Sequence, residues 1–240
     1  MNTESASRAD AQSAAPARVL VWDAPVRVFH WMMVLVFAGA WLTAESERWR
    51  LAHVTLGYTM AGLVVFRLLW GVFGTRHARF TQFVRGPAAV GGYLKSLLRG
   101  RPEHHAGHNP AGALAIVALL LLAVAVPATG WALFNDMGGE WLEDVHEGVA
   151  NAMLALVAVH VAAVAISSWL HRENLVSAMV TGRKTAPREE AIRGAWRSVA
   201  ALLLVAVLGF WWLQWQTAPG EGLLAGGQQA WSKMEHDDDD

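Results

Sequence analysis

His146 and His160 stand fourteen residues apart in one hydrophobic stretch, and His30 and His53 stand in two earlier ones. An α-helix turns about 100° and rises about 1.5 Å per residue, so fourteen residues bring the second imidazole to within ~40° of the first, ~21 Å along the axis. One helix face therefore carries two imidazoles at two depths. An imidazole inside a bilayer has no water around it and needs a partner, which makes each a functional candidate. A single histidine in a membrane helix often only hydrogen-bonds a neighbouring carbonyl. Four that divide into two pairs are much harder to account for that way. Two imidazoles per site, with neither carboxylate nor thiolate, suit a low-spin, six-coordinate heme iron that shuttles electrons and leaves no open position for oxygen chemistry.

The elements that must position these rings are membrane spans. The chain of 240 residues is 54% hydrophobic and 16% charged, well below the charge of a soluble domain, and its apolar residues fall in blocks near the ~20 residues that cross a bilayer. The pattern predicts an all-α integral membrane protein with spans at 26–44, 53–73, 111–134, 146–170 and 198–215. Pro127 is expected to kink the third span rather than end it. With no cysteine in the chain, disulfides, cysteine-ligated clusters and thioether-attached heme are all excluded. Any heme is therefore held by coordination and packing alone.

Charge orients the spans. Fifteen Lys and Arg lie in the N-terminal segment, the loop between spans two and three, and the linker before span five, against only Arg48, Arg50 and Lys233 on the other side. The positive-inside rule predicts a cytoplasmic N-terminus and a periplasmic C-terminus in a bacterial inner membrane. The first nineteen residues lack an apolar core and are not a cleavable signal; they are expected to be a disordered cytoplasmic tail. With this orientation His30 and His160 share the cytoplasmic depth, and His53 and His146 the outer depth. Small residues nearby (Gly57, Gly148, Ala150, Ala163) leave room for porphyrin.

Other residues carry weaker expectations. Arg67 is the one cation inside a span, on the face of His53, and is a candidate partner for a propionate of the cytoplasmic-side heme; otherwise it snorkels to the interface. Arg27, one turn before His30, is a lesser candidate for the same role. Asn109-Pro110 reads as a helix start, which leaves His108 for a proton-accepting or quinone-contacting role with Arg76 and Arg79. His77, His104, His105 and His171 are expected to be solvated. The acidic end, Met234 to Asp240, is expected to be a solvated tail, with residues 216–240 docking a periplasmic redox partner and, as a lesser reading, recruiting a cation.

Motifs in fixed order carry a resemblance. They are W-D-A-P-V-R-V-F-H-W at Trp22–Trp31, H-V-T-L-G-Y at His53–Tyr58, F-R-L-L-W-G-V-F-G-T-R at Phe66–Arg76 and G-H-N-P-A-G at Gly107–Gly112. H-E-G-V-A-N at His146–Asn151, H-V-A-A-V at His160–Val164 and H-R-E-N-L-V-S-A-M-V-T-G-R-K at His171–Lys184 follow. The chain resembles the prokaryotic cytochrome b561 family, especially its branch of b-type subunits of nickel–iron hydrogenases. The resemblance implies a four-helix transmembrane bundle over residues 20–185 holding two non-covalent heme b groups, with His30, His53, His146 and His160 at the ligand positions. Residues 186–215, a basic linker and a fifth transmembrane helix, and the acidic tail 216–240 lie outside that core.

The expected function is a diheme cytochrome carrying electrons between the quinone pool, ubiquinone or menaquinone, and a periplasmic redox protein, a hydrogenase or c-type cytochrome. Membrane lipid surrounds it, and no nucleic acid partner is expected. A superoxide oxidase that reduces ubiquinone is a second reading, which a positive outer surface would favour; the outer loops are acidic or neutral. A non-heme metal-ion carrier is a third.

Overall fold

The computed structural model describes residues 17–83 and 110–217, with a few helical positions between 88 and 95. Five of its helices are long and apolar enough to cross a membrane: α1 (Ala24–Thr43), α2 (Arg50–Phe73), α3 (Pro110–Phe134), α4 (Trp141–Leu170) and α5 (Arg197–Thr217). They begin up to five residues before the expected spans, so His53 and His146 lie inside helices rather than at their first residues. α3 runs through Pro127 without a break and begins at Pro110. Asn109 and His108 lie outside the described residues.

α1 packs on α2, α2 on α3 and α3 on α4, while α5 closes against α1 and α2. Their shared core is Val36 and Phe37 from α1, Met60, Leu63 and Val64 from α2, Ala123 and Val126 from α3, Met153 from α4 and Val207 from α5. Most of the remaining apolar side chains point outward, as bodies in contact with lipid require. The chain is a multi-pass membrane protein. Among the spans, α4 has extended backbone contact with α3 alone, and it meets the shared core through Met153.

One end of the bundle is fastened by an element that an all-α expectation omits. Residues Ala17–Leu20 (β1) pair antiparallel with Arg183–Ala186 (β2), Ala17 opposite Ala186 and Leu20 opposite Arg183. The tail expected to run free to residue 19 is thus tied down from Ala17; residues 1–16 lie outside the described set. The ribbon continues into α1, because the Val21 and Trp22 amides both donate to the Gly182 carbonyl at 2.8 and 3.0 Å. Gly182 closes a short helix (Leu175–Thr181) with φ +79°, a conformation that favours glycine, and a Cβ there would meet the Trp22 carbonyl oxygen at 2.5 Å.

At this ribbon end Asp23 starts α1 by accepting from the Val26 amide at 2.8 Å, with Pro25 in the first turn. Its other oxygen accepts from Trp70 Nε1 at 3.0 Å and Thr75 Oγ1 at 2.6 Å. One carboxylate, 1% exposed, therefore caps α1 and locks the end of α2 to it. The linker after β2 is packed as well. His77, expected in solvent, is buried with its ring edge against Trp22 and Nε2 2.8 Å from the Glu190 carbonyl oxygen. The linker returns over the α2 end, and that long-range contact removes His77 from water.

Candidate functional site

The four histidines of the spans divide between the two ends of the bundle, His53 and His146 in ring contact and His30 and His160 close enough to interact electrostatically. Away from the ribbon, the rings of His53 on α2 and His146 on α4 lie with centroids 6.2 Å apart and planes 83° to each other. Nearer the ribbon, His30 on α1 and His160 on α4 lie within electrostatic reach of each other. Each pair therefore joins α4 to a helix that its backbone does not pack along. Met153 stands seven residues from both His146 and His160, on the same face, and is 3% exposed. It plugs the bundle between the two sites.

Hydrogen bonds set the chemistry of the His53/His146 pair. His53 Nδ1 lies 2.9 Å from the Ala40 carbonyl oxygen. A carbonyl only accepts, so Nδ1 carries the proton and Nε2 keeps its lone pair. His146 Nδ1 lies 2.9 Å from Thr129 Oγ1, and that hydroxyl also contacts the Ala125 and Val126 carbonyl oxygens at 2.9 and 3.0 Å. The single hydroxyl proton goes to a carbonyl, so the oxygen accepts from His146 Nδ1–H. Both rings thus hold the tautomer whose Nε2 is a free donor to a metal, and no hydrogen bond claims either Nε2 among the described residues. This is the outer-shell arrangement by which proteins orient metal-binding imidazoles.

The space also fits a planar group. Two metal–imidazole bonds of about 2 Å, plus about 1 Å from each ring nitrogen to its ring centre, make a centroid separation of about 6 Å, close to the 6.2 Å found. Gly130 lies against the His146 ring, where a Cβ would stand 3.0 Å from Cε1. Above Gly57, one turn from His53, a Cβ would meet nothing within 4 Å. Among the described residues no group of three or more histidine, aspartate or glutamate side chains is placed to hold a metal ion. A bare ion asks for three or four protein ligands; heme brings four equatorial nitrogens and asks for two.

At the other pair, His30 Nδ1 is buried with no hydrogen-bond partner, and the ring packs against Trp31 with centroids 5.1 Å apart. Arg67 is buried toward the same end, 4% exposed, its guanidinium 5.0 Å over the Phe80 ring and in electrostatic contact with Asp23. Its Nη1 has no hydrogen-bond partner. It does not snorkel to the interface, and a buried guanidinium nitrogen without an acceptor fits a missing anion such as a propionate. Arg27 is different: Nη1 donates to the Val180 carbonyl at 2.6 Å and Nε to the Asp23 carbonyl at 3.3 Å. It ties the short helix to α1 instead of reaching into the bundle. The contributions of Thr129, Gly130 and Met153 escaped sequence reasoning, although the heptad spacing of His146, Met153 and His160 was a signal for the last.

The family model described as prokaryotic cytochrome b561 matches residues 21–182. A probable Ni/Fe-hydrogenase B-type cytochrome subunit from Azotobacter chroococcum is 30% identical, the alignment covering 68% of this chain and 87% of the relative. The corresponding subunit from Rhodobacter capsulatus is 25% identical over 76% of this chain and 88% of its own length. A probable Ni/Fe-hydrogenase 1 subunit from Escherichia coli is 26% identical over 48% of this chain and 60% of its own. No solved structure matches. This membrane chain, which brings His53 and His146 together between two of its spans, belongs to the prokaryotic cytochrome b561 family.

Proposed function

We propose that the protein is the diheme b-type cytochrome subunit of a hydrogenase-type complex, carrying electrons between the membrane quinone pool and a redox partner on the periplasmic side. The observation that carries this reading is the pairing itself: His53 with His146 and His30 with His160, at two depths on one face of α4. His53 and His146 hold one heme through Nε2, oriented by Ala40 and Thr129, and His30 and His160 hold the other. Bis-imidazole heme supplies one-electron oxidation and reduction without an open coordination position.

The chain's own contribution is support and insulation. Met153 and the core around it exclude water between the sites, and Arg67 balances the charge of a propionate near Asp23. The hydrogenase partner rests on the names of relatives aligned over most of their length. Orientation rests on charge: the ribbon end carries Arg18, Arg76, Arg79, Arg183, Arg188 and Arg193, which supports a cytoplasmic placement. Quinone exchange then belongs near the His30/His160 pair, and partner docking near His53/His146, with residues 216–240, of which 218–240 lie outside the described set, as part of that surface.

The test is electron transfer in proteoliposomes holding the purified complex, with hydrogen supplied outside and quinone in the bilayer. Quinone reduction should need all four histidines. Reduction at the full rate by a chain with His30→Ala and His53→Ala together would overturn the reading.

A further inference from the structure

Beside the bundle, at the ribbon end, lies a cavity of about 450 Å³ that the electron path does not use. The turn after α2 supplies one wall, with Thr75, Arg76 and Arg79; the linker before α5 supplies the other, with Glu189, Arg193 and Trp196. Three guanidinia thus line it against one carboxylate. Arg76 is fixed, donating to the Glu189 carbonyl at 3.0 Å and to Glu190 Oε1 at 3.1 Å. Arg79 and Arg193 are exposed and form no ion pair among the described residues.

We infer that this cavity binds a phosphate ester, presented as the headgroup of an anionic membrane lipid or as a soluble phosphate. Guanidinium forks match phosphate oxygens in charge and geometry, whereas a neutral quinone ring would leave these forks unpaired. The walls are held before any ligand arrives: the Ile192 amide donates to the Leu20 carbonyl at 2.9 Å and the Ala24 amide to the Ala195 carbonyl at 2.8 Å. Trp196 rests edge-on against Trp70 with ring centroids 5.6 Å apart, and Trp70 is anchored on Asp23. The cavity therefore costs little to organise on binding.

Its position suits a headgroup. Tryptophans at a span end mark the interface, and basic pockets at the cytoplasmic side of membrane helices take anionic lipid heads. The exposed Leu69 and Phe73 at the same end of α2 offer an apolar track for acyl chains.

The experiment is native mass spectrometry of the heme-loaded full chain, released from micelles containing phosphatidylglycerol or phosphatidylcholine. The wild type should retain phosphatidylglycerol and not phosphatidylcholine. R79Q/R193Q should lower that retention about tenfold or more, the scale of losing charge-assisted hydrogen bonds. R18Q/R183Q, which removes the same charge from the ribbon, should not. A heme spectrum identical to wild type certifies each fold, and R193Q alone is the milder variant. In a phosphatidylcholine micelle, binding of inorganic phosphate or glycerol 3-phosphate would assign a soluble phosphate as ligand; retention of phosphatidylglycerol alone would assign the lipid. Equal retention of the two lipids with no binding of soluble phosphate, or equal loss in both double variants, would overturn the proposal.

Discussion

Replacing Thr129 by valine keeps the side-chain shape and deletes one hydroxyl. That oxygen is the acceptor for His146 Nδ1–H at 2.9 Å. Without heme, the freed ring can turn toward another partner. With Nε2 committed to iron it cannot turn, so the loss falls on the heme-bound state. Leaving a partly buried donor unsatisfied costs about 1–3 kcal/mol, and loss of an outer-shell partner weakens metal sites roughly 10–100-fold. Thr129→Val should therefore weaken retention of the heme at His53/His146 by about 10–100-fold while the second heme stays. The midpoint potential of the affected heme should rise, because its imidazole donates less to ferric iron. The assay is heme loss to excess apomyoglobin, followed at the α-band, with Thr129→Ser as the rescue. Thr59→Val is the control, since Thr59 Oγ1 accepts from Trp211 and binds no histidine; it should loosen α5 and spare both hemes. Heme release from Thr129→Val at the wild-type rate would mean that the Thr129 hydroxyl does not hold the His146 ring in the heme-bound state.

Three further perturbations follow from the same geometry. Arg67→Leu should speed loss of the heme at His30/His160 and lower its midpoint potential, because a buried cation that favours ferrous iron is gone; a more thermostable variant with both hemes unchanged would mean Arg67 faces no propionate. Asp23→Asn should lower stability by about 1–3 kcal/mol, read as a lower melting temperature in detergent, because the amide group turns a donor toward Trp70 or Thr75. Met153→Ala should cost about 2–5 kcal/mol and admit water between the two sites, seen as faster hydrogen exchange in the middle of α4; exchange at the wild-type rate would mean that the plug is elsewhere.

How far the sequence is legible depends on the distance over which each feature is decided. Span lengths are local, and all five helices lie within a few residues of the hydropathy blocks. Depth pairing of the histidines is nearly local as well, because helix rise and alternating span direction determine it, and His53 and His146 do meet. The ribbon is not local: β1 and β2 are four residues each and more than 160 residues apart in sequence, too short to show alternation. His77 sits among arginines in sequence and is buried because the linker carrying Glu190 folds back over it. Arg27 looks like a propionate partner until the Val180 carbonyl, 153 residues away, is found on its guanidinium. Thr129 and Gly130 follow a proline in an otherwise uniform apolar helix, and nothing local shows which side faces His146. Packing between elements settled each of these.

Two bis-histidine hemes per chain, one on each pair, is the arrangement on which electron transfer through this protein depends. The most direct measurement is heme-to-protein stoichiometry of the purified chain by pyridine hemochrome, repeated for alanine variants of His30, His53, His146 and His160. The wild-type chain should carry two heme b, and each variant one. His53→Ala and His146→Ala should lose one and the same spectral component, and His30→Ala and His160→Ala the other. A single heme in the wild type, or two in any variant, would contradict it.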